Sequence, residues 1–124
     1  MKRDMDLIRK LLLAIEAGDS GIMTKDTTVD GFTKEQIGYH AALIDEAKLA
    51  IAYEQRGDKF PTFFILRLTW QGHEFLEAAR SESIWRKAVG TLKEKGIGMG
   101  FDMLKDLLVR FGKSAVGLAA GDPA

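Results

Sequence analysis

The run Arg67-Leu68-Thr69-Trp70-Gln71-Gly72-His73-Glu74-Phe75-Leu76 constrains this chain more than any other. A β-rich stretch, Phe63 to Leu68, stops at Thr69, and a helical pattern begins with no loop between them. Thr69 is placed to cap that helix, because its hydroxyl can accept from the free amides of the first turn. Gly72 costs the helix about 1 kcal/mol against Ala. Close packing of Gly72 against a neighbouring backbone would offset the cost. Trp70, His73, Phe75, Leu76 and Ala79 supply apolar or amphipathic bulk along the helix.

The elements upstream follow from similar signals. Leu7, Ile8, Leu11, Leu12 and Ile15 recur at helical spacing, which predicts a helix over Asp4 to Ala17 that stops at Gly18. Residues 19 to 32 are polar and read as a loop, with room for a short strand at Ile22-Met23-Thr24 or Thr28-Val29. Thr33 and Gln36 have capping-box spacing. Beyond them Ile37, His40, Leu43, Ile44 and Ala47 share one helical face. Gly38 allows two parsings: a short helix broken at Gly38 and followed by a second from Tyr39, or one continuous bent helix. Leu49 to Glu54 alternates like a strand, 55–59 reads as a turn, and Pro61 suits the start of the returning strand. Two further helices are predicted, Glu82 to Lys95 and Phe101 to about Val116, joined by Gly96-Ile97-Gly98-Met99-Gly100. Residues 117–124 read as a frayed tail.

This order predicts an α+β, mostly helical fold: a winged helix-turn-helix with a β-hairpin wing and two additional C-terminal helices. The expected organisation is a core over 1–80 and a helical extension over 81–116 packed on it as a single domain. A chain of 124 residues is long enough to bury a core of this kind. It has no cysteine, which excludes disulfides and thiol chemistry and fits a reducing compartment. No run approaches the roughly 18 apolar residues of a spanning helix, and the first residues lack the apolar length of a secretory signal. The sequence predicts a cytoplasmic protein with no membrane partner.

Several segments resemble a known family. These are "MKRDMDLIRKLLLAIE" at the start, "YHAALIDEAKLA" at 39–50, "LTWQGHEFLEAAR" at 68–80 and "IWRKAVGTLKEKG" at 84–96. Together they are similar to the uncharacterised bacterial and prophage family known as domain of unknown function 2513, over most of the chain. "LTWQGHEFL" also resembles the strand-to-helix junction of winged-helix regulators, which often read Leu-Thr-x-x-Gly. Such regulators commonly place Gly-Leu after the second helix. Here Lys48 stands in the Gly position, which puts a positive-φ cap there in question. The resemblance implies a fold and a prokaryotic setting; it brings no activity with it.

Winged helices that bind duplex DNA send the helix before the hairpin into the major groove. The groove face here would carry Gln36 and Tyr39, with Lys34, Lys48, Arg56 and Lys59 on phosphates. Against this, net charge is zero, with 18 Lys+Arg and 18 Asp+Glu. Between 33 and 60, the basic Lys34, Lys48, Arg56 and Lys59 meet the acidic Glu35, Asp45, Glu46, Glu54 and Asp58, a net of −1. Phosphate neutralisation drives much of DNA affinity, so Lys2, Arg3, Arg9 and Lys10 would need to join the surface. The last helix is more apolar than one core-facing stripe requires. Met103, Leu104, Leu107, Leu108 and Phe111 therefore form a second candidate surface, for a homodimer or a protein partner.

The remaining motifs lead nowhere. His40 and His73, the two histidines, read as hydrogen-bonded core residues and not as a metal pair. Gly112-Lys113-Ser114 lacks the upstream Gly of a phosphate loop, where Leu107 stands. Gly96-x-Gly98-x-Gly100 follows a helix and not a strand, unlike a dinucleotide site. Arg56-Gly57-Asp58 is a chance match to an adhesion tripeptide. No nucleophile–base pair or paired carboxylates stand out, so the sequence predicts no catalysis, no metal and no cofactor.

Overall fold

A computed structural model describes residues 1–18, 21, 27–56 and 61–117, and the side chains of all of these except 52–56 and 61–66. The elements are α1 (Met5–Ala17), α2 (Lys34–Glu46), β1 (Ala50–Arg56), β2 (Pro61–Leu68), α3 (Trp70–Ala79), α4 (Glu82–Glu94) and α5 (Phe101–Ala115). The fold is α+β and mostly helical, with one two-stranded antiparallel hairpin followed by three helices. The chain divides into two compact units, Met1–Leu76 and Glu77–Ala124, and the division falls inside α3.

In the first unit, α1 starts where Asp4 caps it: the Asp4 carboxylate accepts from Asp6 N at 2.9 Å and Leu7 N at 3.2 Å. Such a cap contributes about 1 kcal/mol. The predicted stripe is buried through Leu7, Ile8, Leu11, Leu12 and Ile15, and α1 packs against α2 and β2. α2 is continuous through Gly38, so the continuous parsing holds and the separate short helix does not exist among the described residues. The capping box and four buried contacts, Ile37, His40, Ala41 and Ile44, outweigh the propensity cost of one Gly. Leu43 is only half-buried and Ala47 is exposed, so the core face lies slightly to one side of the expected one.

Thr28-Val29 forms no strand, and Ile22-Met23-Thr24 lies outside the described residues, as do residues 57–60 and 118–124; of the expected turn 55–59, Gln55 and Arg56 belong to β1. The hairpin pairs Ala50 with Leu68 at its base and Arg56 with Pro61 at its far end. Between Ile51 and Ala52 the register shifts: Ile51 faces Arg67 and Ala52 faces Ile65, which leaves Leu66 as the extra residue of a bulge. Pro61 takes the strand-start position that its missing N–H allows.

In the second unit, Ser81 caps α4 by accepting from Ile84 N at 3.3 Å. α4 buries Trp85, Ala88 and Leu92 and packs on α5, which buries Leu104 and Leu108. Lys87 places its ammonium 4.4 Å from the centre of the Phe111 ring, a cation–π contact between the two helices.

Candidate functional site

α2 and the two ends of its path define the candidate site. At its N-terminus, Thr33 Oγ1 accepts from Gln36 N at 3.1 Å, and Gln36 Oε1 accepts from Thr33 N at 2.8 Å. One turn on, His40 is 1% exposed. Its Nε2 accepts from Asp4 N at 2.7 Å, and its Nδ1 lies 2.8 Å from the Gln36 carbonyl. A ring nitrogen that accepts from an amide carries no proton. The proton therefore sits on Nδ1 and is donated to the Gln36 carbonyl. His40 is thus a satisfied core residue, as expected, and it ties α2 to the cap of α1.

The C-terminus of α2 closes in a Schellman motif. Leu49 N donates to Ile44 O and Lys48 N to Asp45 O, each at 3.0 Å, and Ile44 and Leu49 are both buried. Lys48 has φ 62, the left-handed conformation that its side chain put in question. The burial of Leu49 requires the chain to reverse at Lys48, and the two backbone bonds hold it there. α4 ends in the same pattern with glycine: Gly96 has φ 67, Gly96 N donates to Lys93 O and Ile97 N to Leu92 O.

The strand-to-helix junction clasps this turn from the other side. Thr69 Oγ1 donates to Lys48 O at 2.5 Å and accepts from Gly72 N at 3.1 Å, while Thr69 N donates to Leu49 O at 3.0 Å. A Cβ added to Gly72 would overlap the Leu49 carbonyl oxygen and lie 2.9 Å from its carbon. The close backbone approach expected of Gly72 is therefore real, and its neighbour is the first residue after the left-handed turn.

The structure distributes the predicted DNA-facing set along α2, its cap and the hairpin. Lys34, Tyr39 (44% exposed) and Lys48 are open to solvent along α2 and its cap, and Arg56 ends β1 opposite Pro61. Gln36 is half-buried with its side-chain Oε1 committed to the capping box, so it serves the helix start before any base. Lys59 lies outside the described residues. Glu35, Asp45 and Glu46 are exposed on the same helix. Of the N-terminal cations, Lys2 and Arg3 are exposed, and Lys10 lies 5.6 Å over the Phe32 ring. Arg9 is buried and is not available to that surface.

The second candidate surface divides along α5. Leu104 and Leu108 are core, Leu107 and Phe111 are half-buried, and Met103 is 47% exposed. Val109 is 38% exposed, like Met103 a large apolar side chain open to solvent on α5.

One expectation for α3 is corrected: His73 is exposed and is not a core residue. Trp70, too, is 77% exposed. Gly72 faces Leu49, and Trp70 lies about 200° around the helix from Gly72, so it points away from the core. That offset was available in the sequence once Gly72 was expected to pack on a backbone.

Among the described residues no group of three or more His, Asp or Glu side chains could hold a metal ion, and no helix is long and apolar enough to cross a membrane. A family model described as "Hypothetical protein (DUF2513)" matches residues 2–98. An "Uncharacterized protein" of Haemophilus influenzae is 33% identical over 109 residues, covering 86% of this chain and 92% of the relative. No solved structure matches.

Proposed function

The chain belongs to the DUF2513 family, and from that premise we propose that it is a non-enzymatic winged-helix protein of bacterial or prophage origin that binds duplex DNA as a cytoplasmic transcriptional regulator. The observation that carries the reading is the run of α2 through one tight turn into the hairpin, with Tyr39 and Lys34 on its open side and Lys48 at the turn. In this reading α2 enters the major groove and the hairpin lies along the backbone. Lys34, Lys48, Arg56 and Lys59 meet phosphates, Tyr39 reaches into the groove, and Gln36 holds the helix start. The exposed Glu35, Asp45 and Glu46 oppose phosphate, so affinity rests on few contacts and is sensitive to salt.

The test is a titration against mixed genomic duplex fragments at two salt concentrations. Four neutralised phosphates imply a loss of roughly a hundredfold in affinity between about 50 and 200 mM salt. Arg56→Ala combined with Lys59→Ala is expected to halve the salt dependence. Absence of binding at the lower salt overturns the reading.

One observation favours a second reading, a protein-interaction or dimerisation module. Met103 and Val109 are exposed on α5 beside the half-buried Leu107 and Phe111. Sedimentation equilibrium is then expected to show a concentration-dependent dimer that Leu107→Glu abolishes. A strictly monomeric wild type argues against this module.

A further inference from the structure

Three helices of this chain are followed by a left-handed residue whose N–H returns to the last turn: Lys48 (φ 62), Gly96 (φ 67) and Gly117 (φ 84). Their closing bonds correspond, from Lys48 N to Asp45 O, Gly96 N to Lys93 O and Gly117 N to Ser114 O, at 3.0 to 3.1 Å. Glycine occupies two of the three positions because it alone adopts this conformation without a Cβ penalty. The cap itself uses only backbone groups, so it gives Lys48 no advantage over glycine. The Lys48 side chain itself is exposed and makes no hydrogen bond or ion pair among the described residues. A disfavoured backbone is therefore kept under a side chain that no hydrogen bond or ion pair among the described residues requires, the pattern in which strain marks a functional position.

The surroundings indicate what the side chain is for. Lys48 is the sole Lys or Arg between Glu35 and Gln55, and Asp45 and Glu46 are exposed just before it. Its main chain is held on three counts: its N–H to Asp45, its carbonyl to the Thr69 hydroxyl, and Leu49 to both Ile44 and Thr69. An ammonium on such a pinned backbone is directed more narrowly than one on a mobile loop. We infer that Lys48 is the fixed phosphate anchor of the interface, a binding residue retained at the expense of stability, clamping the DNA backbone where it crosses from α2 to the hairpin. The inference rests on the duplex-DNA reading above.

Three proteins decide it: wild type, Lys48→Gly and Lys48→Arg, each melted and each titrated with the same mixed duplex fragments over a salt series. Lys48→Gly is expected to melt about 2–5 °C higher, because the left-handed penalty is removed. It is also expected to bind about fivefold or more weakly, with the slope of log affinity on log salt reduced by about one, the signature of one lost phosphate contact. Lys48→Arg keeps the charge and is expected to keep the slope. A Lys48→Gly protein that binds as tightly as wild type, with the same slope, overturns the anchor while leaving the DNA reading intact. A Lys48→Gly protein that melts lower than wild type overturns the strain argument. A wild type that does not bind duplex DNA overturns both the anchor and the reading beneath it.

Discussion

Gly72→Ala is expected to be the most damaging Gly→Ala substitution among the described residues, with the melting midpoint falling by about 10 °C or more. The added Cβ overlaps the Leu49 carbonyl oxygen, and that oxygen cannot yield freely because it accepts from Thr69 N. Relief requires α3 to move away from the base of β1. That movement pulls on the Thr69 hydroxyl, which joins Lys48 O to Gly72 N. Overpacking of this kind costs about 1–3 kcal/mol, and each stretched hydrogen bond adds about 1 kcal/mol. Gly38→Ala is the control. Gly38 lies in the interior of α2 with nothing within 4 Å of an added Cβ, so the same substitution is expected to stabilise by about 0.5–1 kcal/mol. Thermal unfolding of the two variants checks both signs. A Gly72→Ala protein as stable as wild type would show that the close approach to Leu49 does not exist.

His40→Ala is expected to follow closely, at about 2–4 kcal/mol. The substitution opens a cavity beneath α2 and strips partners from two backbone groups, Asp4 N–H and the Gln36 carbonyl. His40→Phe separates the two contributions, because it keeps the ring volume and removes both nitrogens. About half of the loss is expected to remain in the Phe variant, measured by urea titration of all three proteins. Full recovery in His40→Phe would mean that the two hydrogen bonds add nothing. The substitution also bears on α2 itself. His40 fixes the helix against the Asp4 cap, so losing it loosens the element that carries Tyr39 and Lys34.

What could be read from sequence, and what could not, divides on a physical line. Signals in which a residue acts on its own neighbours were legible: the Thr33–Gln36 capping box, the Thr69 cap, Pro61 at a strand start, and the helical stripe of α1. Gly72 was legible as well, because a helical glycine in the first turn after a strand has few reasons to be there except a close approach. Competitions between a local cost and a tertiary gain were not legible. Gly38 resembled a break because its propensity cost is visible in sequence, whereas the burial of Ile37, Ala41 and Ile44 that outweighs it is not. Lys48 resembled an unsuitable left-handed residue because the demand for Leu49 in the core is invisible until the fold exists. Trp70 reads in sequence only as bulk along α3, and the direction it takes follows from the close approach of Gly72 to Leu49. For the candidate site, the cations and Tyr39 could be named from sequence. The withdrawal of Arg9 into the core and the commitment of Gln36 to a cap required the structure.

The clasp between the turn at Lys48–Leu49 and the junction at Thr69–Gly72 also bears on how the chain folds. Its bonds span about 20 positions along the sequence, and the entire hairpin lies inside the loop they close. Bringing such distant ends together carries a chain-entropy cost that grows with the logarithm of loop length. Zipping the hairpin meets most of that cost beforehand, since pairing Ala50 with Leu68 already delivers both ends to the same place. The clasp is therefore expected to close after the ladder has aligned its two ends. A fragment cut at the end of β2 would hold both strands and still lack the latch, because Thr69 and Gly72 lie just beyond it. The smallest self-closing piece of the N-terminal unit thus includes the first turn of α3.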